Sequence, residues 1–237
     1  MKLLVTDYDG TLFINEADLK KNIKYFNTWK KNGNIIMIST GRSYPSIKNQ
    51  VDLYNIPYDY LSCADGSIIY DKNGKILKMF KMNNEIINPF QNFYKNLPYE
   101  EIQFVYSKGY SNILTNINDI LGINICLSNK NYTEEIVNKF IIMSKDYPDY
   151  NFLNYIHPNF SYLCIKPKNI DKSSTIDYLK KDLNLNTNNI YVIGDSDNDY
   201  EMIKKYNGVA LDSSCQKVLD IATKVYSSVS DYIKEIN

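Results

Sequence analysis

The chain has 237 residues, 44% of them hydrophobic and 23% charged, with 27 basic side chains balanced by 27 acidic ones. That length holds one large domain or a core with a smaller companion, and the charge balance leaves no electrostatic footprint for a nucleic-acid partner. No apolar run approaches the ~20 residues that cross a bilayer, and Asp7 comes too early for the apolar centre of a signal peptide, so a soluble cytoplasmic protein without a membrane partner is expected.

"KLLVTD" at residues 2–7 reads as a short buried strand. "ADLKKNIKYFNTWKKNG" follows, with Leu19, Ile23, Phe26 and Trp29 at helical spacing and Gly33 as a stop. "NIIMIST" is a second continuous apolar strand, of the kind covered on both faces in a parallel sheet. A helix in "SYPSIKNQVDLYN" and a strand in "YDYLSC" complete a β-α-β-α-β order, which predicts a Rossmann-like parallel α/β core. Residues 67–81 break this rhythm with two alternating runs around Asn73-Gly74, a hairpin signal. Residues 82–166 then read as an α+β insert with its own small sheet: helices in "NNEIINPFQNFYKNL" and "NYTEEIVNKFIIMSKDY", and strands in "EIQFVYS", "INICLS", "YNFLNYI" and "SYLCIK". From "DKSSTIDYLKKDLNL" onward the strand–helix alternation returns to the end of the chain. The expected organisation is a discontinuous core, 1–81 and 167–237, interrupted by a domain at 82–166.

Three predicted core strands end in functional groups: Asp7 after "KLLVT", Thr40 after "NIIMIS" and Asp195 after "NIYVIG". In an open parallel sheet ligands bind outside the carboxyl ends of the strands, so all three converge on one edge. Each alone reads equally as a cap or turn residue. Together with Asp9, Asp197 and Asp199 they bring up to five carboxylates to that edge, a repulsion that calls for a cation. Oxygen ligands without His or Cys favour a hard ion, Mg²⁺ before Ca²⁺, since no twelve-residue calcium loop is present. The cysteines, Cys63, Cys126, Cys164 and Cys215, lack metal spacing and read as isolated thiols.

"DYDGTL", "STGRS", a lysine at a helix start and "GDSDND", in that order, resemble the four motifs of the haloacid dehalogenase superfamily. The insert between the second and third motifs is similar to the C2 cap of its Cof-type phosphatases. The resemblance implies a Mg²⁺-dependent phosphatase of small phosphorylated metabolites, sugar phosphates by default, whose cap limits substrate size. It makes Asp7 the nucleophile that forms an aspartyl-phosphate and Asp9 the acid and base for the leaving alcohol and water. It gives Thr40, Gly41, Lys172 and Asn198 to the phosphoryl group, with Lys166 and Lys168 competing for the lysine's place. It gives the metal to Asp7, the Asp9 carbonyl, Asp195 and Asp199, and leaves Asp197 as a solvated turn residue.

Arg42 is the only arginine among 27 basic residues, which favours a need for its planar fork at the substrate or as a brace; an ion pair between core and cap is the plain alternative. His157, the only histidine, falls late in the insert and is either a loop residue before Pro158 or a substrate contact. Two stretches depart from the family pattern: "ADGS" at 64–67 replaces an Asn-Gly-Ala-like run, and Tyr8 stands where a small or aliphatic residue is usual. A phosphotransferase or phosphomutase would use the same intermediate, and a low-turnover phospho-metabolite sensor would not need Asp9. Oligomeric state has no signal in the sequence.

Overall fold

The computed structural model describes residues 1–94, 101–127, 130–156 and 161–237. The chain runs β1 (Leu3–Thr6), α1 (Glu16–Lys31), β2 (Ile35–Ser39), α2 (Tyr44–Leu53), β3 (Tyr60–Cys63), β4 (Ile68–Asp71) and β5 (Ile76–Met79). The insert follows as α3 (Asn84–Tyr94), β6 (Glu101–Tyr106), β7 (Gly109–Ser111), β8 (Ile120–Leu127), α4 (Lys130–Asp146), β9 (Tyr150–Ile156) and β10 (Ser161–Pro167). The chain closes with α5 (Lys172–Asp182), β11 (Ile190–Gly194), α6 (Tyr200–Lys205), β12 (Val209–Leu211), α7 (Gln216–Leu219), β13 (Val225–Tyr226) and α8 (Val229–Ile236).

It forms two compact units, Met1–Lys78 with Asp171–Asn237, and Met79–Ile170. The first holds an eight-stranded sheet in the order β13-β12-β11-β1-β2-β3-β4-β5, parallel from β13 to β3. Alternate residues of its strands face opposite layers. Leu3, Val5, Met37 and Val192 pack on Ile176 and Leu179 of α5 and on Met202 and Ile203 of α6. On the other face Tyr191 meets Trp29 of α1 and Tyr232 of α8 edge-on. Leu19, Phe26 and Trp29 are fully buried, which gives α1 its inward stripe; burying an apolar side chain of this kind contributes about 1.5–3 kcal/mol. Asn22 bridges this layer, donating to the Leu12 carbonyl at 3.0 Å and accepting from the Ser230 amide at 2.9 Å.

Glycine is scarce, and asparagine takes its place at helix exits. Asn55, Asn184 and Asn207 adopt positive φ just after α2, α5 and α6, a conformation asparagine tolerates better than other non-glycine residues. The turn at Asn73-Gly74 is longer than the two-residue loop that this pair commonly forms. Gly74 N bonds Asp71 O and Asp71 N bonds Lys75 O, both at 3.0 Å, and only Gly74 of the pair has positive φ. The Asp71 carboxylate accepts the Asn73 and Lys75 amides at 2.9 Å, which selects this three-residue loop.

The second unit carries an antiparallel sheet in the order β7-β6-β8-β10-β9. Its core joins Ile86, Ile87 and Phe90 of α3 and Phe140 and Met143 of α4 to Phe104, Ile123, Ile125, Leu163 and Ile165 of the sheet. The hairpin strand β7, in a stretch without a clear alternating pattern, pairs with β6. No helix among the described residues is long and apolar enough to cross a membrane.

Candidate active site

Because β1, β2 and β11 are parallel and in register, with Thr6 opposite both Ile193 and Ile38, their carboxyl ends fall on one edge. Asp7 leaves β1 there with its amide bonded to Ile193 O at 3.1 Å. Lys172 is the first residue of α5. Its Nζ donates to Asp7 Oδ1 at 2.6 Å and to Asp199 Oδ1 at 2.7 Å, and all three side chains are buried. Asp199 turns its other oxygen to the amides of Asp195 and Ser196, at 3.0 and 3.1 Å. Asp195 is half-buried and accepts the Thr11 hydroxyl. Carboxylate oxygens of Asp7, Asp195 and Asp199 lie within 4.8 Å of one another.

One ammonium thus faces three carboxylates. Burial pushes Asp7 well above the usual carboxylate range, and the charges of Asp199 and Asp195 add to this, against the pull of Lys172. Burial likewise raises Asp195, although the Thr11 hydroxyl opposes it. Burial alone would drive Lys172 down; Asp199 and Asp7 together outweigh it and hold the ammonium up. The excess of two negative charges, and a donor set made only of oxygen, fit a divalent hard cation. Gly10 keeps room beside this cluster: at φ +84°, a Cβ there would stand 2.6 Å from Asp195 Oδ2.

The start of α5, and with it Lys172, is held by its cap, by the end of β3 and by the turn after it. Asp171 caps α5, accepting from Ser173 N at 2.7 Å, while its own amide donates to Ser174 Oγ at 3.1 Å. Ser62 at the end of β3 shares a 2.7 Å hydrogen bond with Thr175. In "ADGS", Ala64, Asp65 and Gly66 all have positive φ. A Cβ on Gly66 would lie 1.9 Å from the Asp171 carbonyl, so only glycine lets this turn lean on the start of α5.

Thr40 is buried; its Oγ1 accepts the Arg42 amide at 3.1 Å, which leaves the hydroxyl proton available. Gly41 sits beside Asp65, with 3.1 Å between its would-be Cβ and Asp65 Oδ1. Asn198 is engaged within the core: its Nδ2 donates to Asp65 Oδ1 at 2.9 Å and its Oδ1 accepts from Ser196 at 2.7 Å. Asp65 is therefore a partner of Asn198. Asp197 is exposed and pairs with Lys217 at 3.3 Å. The Asp9 carboxylate is outside the three-carboxylate cluster; Arg42 clamps it, Nε to Oδ2 at 2.7 Å and Nη2 to Oδ1 at 2.6 Å. Arg42 and Asp9 both belong to the first unit, so this ion pair does not join core to insert. Lys166 and Lys168 belong to the second unit, and His157 lies outside the described residues. Cys63 and Cys164 are buried cysteines outside any disulfide, and Cys215 is an exposed one.

Thr11 and Ser62 support the cluster without standing out in the sequence, whereas Asp65 and Gly66 fall in the "ADGS" stretch noted as a departure from the family pattern. For Thr11 the available signal was its place after Gly10 in the first motif.

A family model described as haloacid dehalogenase-like hydrolase matches residues 4–232. A Mycoplasma genitalium protein named "putative phosphatase" is 22% identical over 263 residues, covering 98% of this chain and 93% of its own. Two crystal structures share the fold with TM-scores of 0.81: a haloacid dehalogenase-like hydrolase from Bacteroides thetaiotaomicron, 18% identical, covering 100% of this chain and 99% of its own, and TM0651 from Thermotoga maritima, 20% identical, covering 100% and 97%. With its motif residues gathered on one sheet edge and the match running over nearly its whole length, the chain belongs to the haloacid dehalogenase-like hydrolases.

Proposed function

We propose that this enzyme is a Mg²⁺-dependent phosphatase of small phosphomonoester metabolites that works through an aspartyl-phosphate on Asp7. The observation that carries the reading is the buried Asp7 carboxylate held 2.6 Å from Lys172, with Asp195 and Asp199 beside it and Asp9 outside the cluster. Asp7 attacks as a carboxylate and needs no base to do so; burial raises it, and the Lys172 ammonium, with the divalent cation that the three carboxylates would hold, favours the ionised form. An Asp7 oxygen bonds to phosphorus as the bond to the leaving oxygen breaks, and that oxygen takes a proton from Asp9. Water then attacks the phosphoryl group while Asp9 recovers a proton, releasing phosphate and restoring Asp7.

Lys172 stabilises the transferring oxygens and steadies the nucleophile; Thr40 and Gly41 donate from the end of β2. Asp7, Asp195, Asp199 and the Asp9 carbonyl would hold Mg²⁺, which supplies charge neutralisation for the phosphoryl group when bound. Asn198, fixed by Asp65, is positioned as a further donor. The insert serves as a C2-type cap, and a sugar-phosphate-like substrate follows from the family resemblance.

The test is phosphate release from a panel of sugar phosphates, nucleotides and p-nitrophenyl phosphate, with acid quench of labelled substrate. Label bound to Asp7, with phosphate released to water and turnover lost on chelation, supports the reading. Transfer to a second sugar instead of water would move the assignment to a phosphotransferase. Absence of a labelled enzyme during turnover would end it.

A further inference from the structure

Tyr8, between the two catalytic aspartates, is fully buried, and the reaction sketched above gives it no role. The chain leaves β1 in a turn, with Leu12 N bonded to Asp7 O and Phe13 N to Tyr8 O, and this turn stacks Phe13 on the Tyr8 ring with centroids 5.8 Å apart. The far end of Tyr8 is anchored as its hydroxyl donates to Gln50 Oε1 of α2 at 3.2 Å. Burial pushes the phenol up to about 12, so the ring stays neutral.

Against this fixed ring lies the Arg42 guanidinium, its Cζ 5.2 Å from the ring centroid. A guanidinium over an aromatic face is attracted by the ring quadrupole. Every nitrogen of the group is then committed, Nη1 to Ser46 Oγ at 3.3 Å and the other two to the Asp9 carboxylate. Asp9 needs such a hold because its side chain is 52% exposed, and a free carboxylate would rotate among rotamers. When Asp9 carries a proton, one oxygen keeps its Arg42 bond while the other holds the proton, so the clamp opens by one bond without releasing the group.

We propose that Tyr8 is a positioning residue for proton transfer: its buried ring carries Arg42, and Arg42 fixes the Asp9 carboxylate through two parallel hydrogen bonds. The inference rests on the reading of Asp9 as the proton donor. Its signature lies in the leaving group. An alkyl alcohol must be protonated as it departs, whereas p-nitrophenolate leaves without a proton. Breakdown of the aspartyl-phosphate also uses Asp9 but is common to both substrates, so the selectivity is read in kcat/KM, which covers the steps up to leaving-group departure. There a misplaced Asp9 slows alkyl phosphates selectively, and a merely loosened site slows both alike.

The experiment compares kcat/KM for glycerol phosphate and p-nitrophenyl phosphate in Tyr8→Met, an apolar side chain without a π face, and Tyr8→Phe. Tyr8→Met is expected to lower the alkyl-to-aryl ratio by about tenfold, the scale of a small misplacement of a reacting group, and Tyr8→Phe to restore the ratio. An unchanged ratio in folded Tyr8→Met overturns the proposal. Arg42→Lys, at a partly exposed position, tests the clamp independently of core packing; it should show the same selective loss, and an unchanged ratio there also overturns the proposal. Asp9→Asn separates the two levels. It should lower the ratio by roughly 10²-fold or more. If it does not, the reading of Asp9 fails and this inference with it; if it does while the other variants keep the ratio, only the inference fails.

Discussion

Two aspartates in this chain are bound by a lysine and respond in opposite directions. Asp7, at the carboxyl edge of the core sheet, is 2.6 Å from Lys172 and is pushed up. Asp231, at the start of α8, is 2.6 Å from Lys234 and is pulled well below the usual carboxylate range. Pairing is the same, so pairing does not set the direction. Asp231 is only partly covered, its side chain 30% exposed, and there the Lys234, Ser227 and Ser228 hydrogen bonds dominate. Asp7 is buried with two other carboxylates sharing one ammonium, and there desolvation wins. The sheet edge spends stability to hold the proposed nucleophile beside its counter-charges, while the helix start uses the same residue types to gain a little.

The comparison breaks hardest at Asp7. Asp7→Asn should lower phosphate release by on the order of 10⁴-fold or more, as removal of a nucleophile does. Because the native state favours the protonated group, Asp7 adds to stability below its unfolded value and takes from it as pH rises through the raised native one. The neutral amide removes that cost, so calorimetry at neutral pH should find a melting point no lower than wild type. A melting point several degrees lower, or retained turnover, would contradict the account.

Lys172→Met tests the other partner. It leaves buried carboxylates without their ammonium, and loss of one member of a buried pair costs about 3–5 kcal/mol. Denaturant titrations at pH 7.5 and pH 5 should show the deficit shrinking in acid, as protonation of Asp7 relieves the repulsion. A deficit independent of pH would mean that packing, and not charge, is what Lys172 supplies.

Much of the fold was legible because its signals are local. Short apolar runs marked β1, β2 and β11 as strands, β2 as one covered on both faces, and their shared direction placed Asp7, Thr40 and Asp195 together. Helical spacing of Leu19, Phe26 and Trp29 marked α1. The supports of the site were not legible, because each depends on contacts across long stretches of chain. Ser62 meets Thr175, Gly66 meets Asp171 and Asp65 meets Asn198, pairs that no local pattern predicts. The strand order β7-β6-β8-β10-β9 of the insert is hidden for the same reason. Thr11 is the most testable of these supports. Thr11→Val removes the hydroxyl that Asp195 accepts, and if Asp195 is a metal ligand as proposed, losing its outer partner costs roughly tenfold in metal affinity. The Mg²⁺ concentration for half-maximal activity should rise by about that factor while saturated turnover changes little. An unchanged Mg²⁺ requirement would remove Asp195 from the metal set or Thr11 from its support.

The smallest effect belongs to the partly exposed aspartate, and it sharpens the contrast. Asp231 accepts from the Ser227 and Ser228 hydroxyls at 2.7 Å and stands in the first turn of α8, where a negative charge is favoured. Its lowered native value means that its contribution is complete above the unfolded value near ~4 and is lost as pH falls through the native one. Solvent screening holds that contribution below about 1 kcal/mol. Asp231→Asn should therefore lower stability slightly at pH 7, and the wild-type advantage should fade toward pH 3. The pH trend of Lys172→Met and that of Asp231→Asn then have a common form, a deficit that closes in acid, but differ several-fold in size. If the two deficits were equal, burial would not be the variable that separates the two regions.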